Sequence, residues 1–383
     1  MAKKDYAKLA IEAHKKSRGK ISVEAKMPLE TKDDLSIAYT PGVAKPCEEI
    51  AENKEKAYDY TSKGNLVAVV SDGSAVLGLG NIGPEAALPV MEGKAVLFKK
   101  FADVDAVPIV LDTQDTEEII HAVKMIAPTF GGINLEDISA PRCFEIEDRL
   151  KAELPIPVFH DDQHGTAIVT LAAMYNAAKI TGKKFKDLDI VINGAGAAGV
   201  AIVELLFEAG VHEVIMCDSK GIIHKDRDDL NPVKEKMAEM TNNSRRTGGL
   251  EDAIADADVF IGVSAPGVLT QDMIKTMKGD PWIFAMANPI PEIMPHEAKE
   301  AGASIIATGR SDFPNQINNV LAFPGLFRGA LDARVSNLTT KMFIDAAKAI
   351  ADSVKEPTPD KIIPSPFDEG VPELVAKAIK DNR

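Results

Sequence analysis

Asp189-Ile190-Val191-Ile192-Asn193-Gly194-Ala195-Gly196-Ala197-Ala198-Gly199 carries a strand-length apolar run into G-x-G-x-x-G, and Val200-Ala201-Ile202-Val203 then opens an apolar helix. Gly194 permits the tight turn, Gly196 lets the backbone approach a pyrophosphate, and Gly199 lets helix and strand pack closely. The backbone of Gly194, Ala195, Gly196, Ala197, Ala198 and Gly199 is therefore the candidate anion cradle at a helix N-terminus. A glycine turn used only for packing is the alternative. Against it, a second strand, Glu213-Val214-Ile215-Met216-Cys217, ends in Asp218, about 24 residues after the first glycine. A carboxylate for the adenosine ribose is expected there. Asp218 favours NAD, but Ser219, Lys220, Lys225 and Arg227 lie just beyond it and could hold the extra phosphate of NADP, so both cofactors stay open.

Outward from this turn, apolar runs near 188–193, 213–217, 258–263, 282–287 and 303–307 alternate with helical patterns such as 198–209. That alternation predicts βαβ units and a parallel sheet. Upstream, Leu66-Val67-Ala68-Val69-Val70 and Ala106-Val107-Pro108-Ile109-Val110-Leu111 read as strands, with a helix before Lys99 and another at 116–127. Glu153-Leu154-Pro155-Ile156-Pro157-Val158 is proline-punctuated and precedes a long helical pattern from Thr166 to Lys179. The change of domain is expected near 155–165. Tyr6, Leu9, Ala10 and Ala13 fall at near-helical spacing, so a structural helix over 5–17 is expected to lie on the first domain. The fold class is α/β, and 383 residues exceed what one core organises, so two domains are expected.

A formal charge of -14 disfavours a phosphate backbone or an anionic membrane as partner. An anionic substrate would need local positive charge or a metal cation. Cys47, Cys143 and Cys217 form neither a disulfide framework nor a zinc site, which fits a reducing compartment. Met1-Ala2-Lys3-Lys4-Asp5-Tyr6 opens no signal-peptide stretch, and no run has the length of a membrane span, so a cytoplasmic location is expected.

Two acidic clusters sit among glycine, proline and apolar residues, as in functional turns: Ile133-Asn134-Leu135-Glu136-Asp137-Ile138 and Val158-Phe159-His160-Asp161-Asp162-Gln163-His164-Gly165. Carboxylates gathered at a cleft repel one another unless a cation sits between them, and oxygen ligands suit Mg²⁺ or Mn²⁺. A helix cap or an ion pair is the plainer reading of each pair alone. His160 and His164 suggest zinc at i, i+4, but the glutamate of H-E-x-x-H is missing and Pro155 and Pro157 interrupt any preceding helix.

Several further segments give a family resemblance. Ala38-Tyr39-Thr40-Pro41-Gly42-Val43-Ala44, Leu77-Gly78-Leu79-Gly80-Asn81-Ile82-Gly83, Met91-Glu92-Gly93-Lys94-Ala95, Asn134-Leu135-Glu136-Asp137, His160-Asp161-Asp162-Gln163-His164-Gly165-Thr166, Met286-Ala287-Asn288-Pro289 and Ile317-Asn318-Asn319-Val320 occur in the order found in malic enzymes. The chain resembles that family from about residue 20 to 340. The resemblance implies a malic-type α/β catalytic domain over 1–160 and a Rossmann-type NAD(P)-binding domain with C-terminal helices over 161–383. It implies Glu136, Asp137 and Asp162 as metal ligands with Asp161 beside them, and Tyr39 and Lys94 as the acid–base pair, Lys94 also touching substrate. Asn288 and Asn319 would bind malate's carboxylates or the nicotinamide end, with Asn318 adjacent. The larger members' substrate-gripping arginine is replaced here by Ala75. The implied reaction is oxidative decarboxylation of L-malate to pyruvate and CO₂ through oxaloacetate, which such an enzyme would also decarboxylate. For Lys94 to take the hydroxyl proton it must be neutral, which calls for burial or nearby positive charge. Malolactic conversion to lactate and a non-catalytic dinucleotide-binding module are the alternatives. A homodimer is expected from the resemblance and from the prevalence of two-fold symmetry.

Overall fold

The structure, a computed structural model, describes residues 5–76 and 78–382; Met1 to Lys4, and Leu77 of the Leu-Gly-Leu-Gly segment, lie outside the described residues. Two sheets carry the chain. The first has the order β2-β1-β3-β4, with β1 Leu66–Ser71, β2 Asp105–Val110, β3 Gly132–Leu135 and β4 Val158–His160, every pair parallel. The second has the order β10-β9-β8-β5-β6-β7, with β5 Asp189–Asn193, β6 Glu213–Asp218, β7 Gly221–Ile222, β8 Val259–Gly262, β9 Trp282–Ala285 and β10 Ile305–Thr308. In this sheet the β6–β7 pair is antiparallel and the other described pairs are parallel.

Parallel strands buried on both faces read as continuous apolar runs, which is why Val67 to Val70 and Val259 to Ile261 are wholly apolar and fully buried. In each sheet the chain leaves the first strand in one direction and later returns to its other side. The crevice at that reversal, beyond the carboxyl ends of the strands, is where open parallel sheets bind ligands. Here the reversals fall between β1 and β3 and between β5 and β8.

Helix Pro84–Ala102 packs on the first sheet and against helix Phe323–Ala333, with Phe98 edge-on to Phe323 and Phe327 at 4.7 and 5.3 Å between centroids. The C-terminal helices thus share a core with the first sheet as well as with helix Thr166–Thr181. The N-terminal segment departs from expectation. Helix Tyr6–Ser17 forms as its spacing predicts, yet neither it nor helices Lys32–Ala38 and Ala44–Glu52 bury a single residue. Its apolar residues, among them Tyr6, Leu9, Ile11, Leu35 and Ile37, face outward. Among the described residues nothing buries them.

Candidate functional site

The first crevice is built by three strand ends. β3 stops at Leu135, and the next amide continues the ladder, Glu136 N–H donating to Val70 O at 2.9 Å, so Glu136 and Asp137 stand at the sheet's edge. Asp137 takes a left-handed backbone, φ 54°, uncommon for a residue other than glycine and tolerated best by Asn and Asp. Its N–H donates to Asp162 Oδ2 at 2.8 Å. After β4, residues Asp161–Gly165 make one wide turn of π-helical winding, a form that recurs at functional sites. Gly165 is needed there, because a Cβ would lie 1.9 Å from Asp161 Oδ1 and 3.1 Å from the Asn319 side chain.

Glu136, Asp137 and Asp162 bring carboxylate oxygens within 4.8 Å of one another. Lys94, on helix Pro84–Ala102 and only 6% exposed, points into the same place. Its Nζ lies 2.8 Å from Glu136 Oε1 and 2.5 Å from Asp161 Oδ2, and 4.1 Å from the Phe323 ring centroid. Burial alone would lower the Lys94 pKa, but the Asp161 and Glu136 carboxylates outweigh it and hold the ammonium well above its ordinary range. The neutral lysine needed for proton abstraction is therefore not the form these neighbours favour on their own. Glu136 is pushed well above the usual carboxylate range by burial, with Lys94 opposing and Asp161, Asp162 and Asp137 adding repulsion. Asp161 is raised by burial against the pull of Lys94. Asp162 is lowered, since contact with His160 overcomes burial.

Lys94 thus pairs with Glu136 and Asp161 while Asp137 and Asp162 gather beside them, and the buried Asp161 Oδ1 has no hydrogen-bond partner among the described residues. An all-oxygen donor set with surplus negative charge fits a hard divalent cation such as Mg²⁺ or Mn²⁺. The zinc alternative finds no geometry here: His160 Nε2 turns toward Asp162 and His164 Nε2 toward Glu147.

The second crevice opens over the glycine turn as a cavity of about 660 Å³, lined by Asn193, Gly194, Ala195, Asp218, Lys220, Lys234 and Ser264 among others. Gly194 has φ 127° and a Cβ there would meet Val263 O at 2.5 Å; at Gly199 a Cβ would meet Gly194 O at 1.8 Å. Gly196, Ala197 and Ala198 carry the turn into helix Ala197–Glu208, and a Cβ at Gly196 would meet nothing within 4 Å, so that approach is open. Asn193 Nδ2 donates to Ser264 Oγ at 2.8 Å, across the reversal between β5 and β8.

Asp218 is not idle at the rim. Arg227 grips both its oxygens, at 2.9 and 3.0 Å, Lys234 Nζ donates at 2.6 Å, and the Lys220 N–H at 2.9 Å. Burial would raise the Asp218 carboxyl, but Arg227 and Lys234 bring it down to about 2. Lys234 was not singled out from the sequence; it lies 16 residues beyond Asp218 and no local pattern marks it. Lys225 makes no ion pair among the described residues, and Lys220 pairs with Asp229 at 2.7 Å.

The remaining candidates divide. Asn319 lies against the Asp161–Gly165 turn, whereas Asn318 caps the short helix Asn319–Leu321, its Oδ1 accepting from Val320 N–H at 2.9 Å. Asn288 sits on the β9 end of the cofactor sheet, close to Gly309 and Gly78. Ala75, where an arginine was expected, ties its N–H to Asp137 O at 3.0 Å. Tyr39 is apart from all of these: it ends helix Lys32–Ala38, is 67% exposed, and its phenol has no hydrogen-bond partner among the described residues.

A parallel-sheet dinucleotide fold set beside a buried lysine–carboxylate centre defines a dinucleotide-dependent dehydrogenase architecture. Comparison with known proteins makes it specific: residues 18–151 match the model of the malic enzyme N-terminal domain and residues 163–369 that of the malic enzyme NAD binding domain. The chain belongs to the malic enzyme family. It is 60% identical over 373 residues, 97% of this chain and 91% of the other, to a bifunctional malic/malolactic enzyme of Bacillus subtilis (strain 168). It is 60% identical to the NAD-dependent malic enzyme of Geobacillus stearothermophilus, over 94% of this chain and 76% of that one. The crystal structure of an NAD-dependent malic enzyme from Thermotoga maritima superposes with a TM-score of 0.95 at 53% identity, covering 97% of this chain and 98% of that one. Among the described residues no helix is long and apolar enough to cross a membrane.

Proposed function

We propose that the chain oxidises L-malate and decarboxylates the product to pyruvate and CO₂, with reduction of NAD or NADP. The observation that supports this most is Lys94 buried between Asp161 and Glu136, beside the three-carboxylate cluster. Glu136, Asp137 and Asp162 would hold Mg²⁺ or Mn²⁺, which supplies Lewis-acid polarisation of malate's hydroxyl and, later, ketone oxygen. With a divalent cation held beside Glu136, the field that keeps Lys94 protonated would weaken, and Lys94 would serve as the base for the hydroxyl proton. NAD or NADP held over the Gly194–Gly199 turn would accept the hydride from malate C2. Asn319, against the Asp161 turn, and Asn288, at the β9 end, orient the carboxylates and the nicotinamide between them. Loss of the β-carboxylate as CO₂ leaves an enolate whose carbon Tyr39 protonates. Kinetics with Mn²⁺ and either cofactor, following reduced nicotinamide, pyruvate and lactate together, test the proposal; lactate without net reduced cofactor would establish the malolactic reading, which the Bacillus subtilis relative's name also favours.

Tyr39 reaches that carbon from a second copy of the chain. The N-terminal helices bury nothing, carry outward apolar side chains and bear the exposed phenol, so a homodimer both covers them and completes the site. Mixing inactive Tyr39→Phe and Lys94→Met proteins then regenerates activity, because half of a statistical mixture is heterodimers with one intact site each. No recovery above either parent would place both residues in one subunit's site.

The cofactor rim accepts NADP as well as NAD. Asp218 is already held by Arg227 and Lys234, so its charge does not repel a 2′-phosphate unopposed, and Lys234 and Lys220 line the cavity. The domain division near 155–165 and a cytoplasmic site of action complete the reading.

A further inference from the structure

Glu147, on helix Arg142–Glu153, is 2% exposed, and no step above uses it. Its carboxylate gathers four donors. Oε1 accepts from the His160 N–H at 2.9 Å and from Lys151 Nζ at 2.7 Å; Oε2 accepts from Gln163 Nε2 at 3.0 Å and His164 Nε2 at 2.9 Å. Three of the four belong to residues 160–164, the segment that carries Asp161 and Asp162. The charge persists despite burial, because His164 and Lys151 hold Glu147 far below the ordinary carboxylate range.

A carboxylate only accepts, so every contact here has a direction. Gln163 must aim its NH₂ at Glu147, and the second hydrogen of that group faces His160 Nδ1 at 2.8 Å. Nδ1 is then an acceptor and the ring proton lies on Nε2, which sits 3.0 Å from Asp162 Oδ2 in a charge contact outside hydrogen-bond alignment. The same oxygen accepts the Asp137 N–H at 2.8 Å. Asp162 is thereby oriented from behind by His160, His160 by Gln163, and Gln163 by Glu147.

We propose that Glu147 is a positioning residue for the carboxylate cluster, acting through Gln163 and His160 on Asp162 to set the affinity of the centre for a divalent cation. The proposal rests on the reading of Glu136, Asp137 and Asp162 as metal ligands. Partners behind a ligand fix its orientation, and losing one typically weakens metal binding by roughly 10- to 100-fold.

The test is Mn²⁺ titration of the full chain, followed by the electron paramagnetic resonance signal of free Mn²⁺, with NAD(P)H binding measured in parallel. Glu147→Gln keeps the shape but turns a donor toward donors; Gln163→Met removes the bridge between Glu147 and the His160 ring and leaves Glu147 paired with His164 and Lys151, so it decides the matter if Glu147→Gln does not fold. Each is expected to raise the Mn²⁺ dissociation constant by about tenfold or more with dinucleotide affinity unchanged. In an Asp162→Ala background the same changes should add nothing, which a general loss of structure would not reproduce. If Asp162→Ala weakens Mn²⁺ binding but folded Gln163→Met binds it within twofold of the parent, the relay is refuted. If Asp162→Ala itself leaves Mn²⁺ binding unchanged, the ligand assignment fails, and the relay with it.

Discussion

Replacing Lys94 with methionine separates its two roles. Lys94→Met keeps the stem against Phe323 and removes the charge, so Glu136 and Asp161 lose the cation at 2.8 and 2.5 Å. Removing one partner of a buried pair costs about 3–5 kcal/mol, chiefly because the other charge is left uncompensated. The metal-free protein should therefore lose stability by about that amount. Metal binding should change in the opposite sense. Two unit charges about 4 Å apart at an effective dielectric of about 20 interact by about 4 kcal/mol, so an ammonium on Glu136 competes with any cation there. Without it, Mn²⁺ should bind at least tenfold tighter, about 1.4 kcal/mol, and saturating Mn²⁺ should restore most of the lost stability. Because Lys94 is held charged above its ordinary range, Mn²⁺ affinity of the parent should rise with pH, and that of Lys94→Met less steeply. Malate oxidation should fall by roughly 10²–10⁴, the span of a lost general base. Calorimetric titration at pH 6.5, 7.5 and 8.5, thermal denaturation with and without Mn²⁺, and steady-state kinetics read these effects. Unchanged or weaker Mn²⁺ binding in a folded variant would refute the electrostatic account, and normal turnover would remove Lys94 from the chemistry.

Lys234→Gln should raise KM for NADP by about tenfold, the loss of one charge-assisted contact, and leave KM for NAD within about twofold; equal effects on both would mean that Lys234 acts only by holding Asp218. Gly199→Ala puts a Cβ 1.8 Å from Gly194 O, so the turn must open; overpacking of about 1–3 kcal/mol should show as a lower Tm and as weakened NADH binding by fluorescence. The Asp218 carboxyl is lowered to about 2 from 3.8, so its pairing stabilises the fold above pH 3.8 and that contribution fades as pH falls toward 2. The Tm gap between the parent and Asp218→Asn should therefore be constant from pH 7 to 5 and shrink from pH 4 to 3; a gap that widens on acidification would contradict the assignment.

The glycine turn was legible because each of its constraints is local: a run of apolar residues for a doubly buried strand, then three positions where side chains collide with backbone. β3 and β4 were not. Four and three residues long and buried on both faces, they leave no alternation to read, and the acidic residues just past their ends made both segments look like turns. The terminal helix was visible in its spacing but its packing was not, since periodicity reveals an apolar face without saying what covers it. Lys234 and Glu147 left no signal at all. One reaches Asp218 through a helix that starts 14 residues further on, and the other looks in sequence like part of a solvated helix whose Lys151 at i+4 is an ordinary surface pair.

What the two crevices need from the fold is closeness, and glycine supplies it where the sheets meet. A Cβ at Gly78, φ 75°, would lie 2.5 Å from Asn288 O, and one at Gly309 would lie 2.6 Å from Asn288 Nδ2. The loop leaving the first sheet can therefore touch the β9 end of the cofactor sheet only because residue 78 has no side chain. A side chain at residue 78 would force Asn288 or the loop itself to move. The same contact bears on Ala75, three residues earlier. Its N–H is fixed to Asp137 O, which holds the loop against the end of β3 beside Gly78, where it meets Asn288. In this chain position 75 carries no guanidinium, and it ties the loop to Asp137 through its backbone.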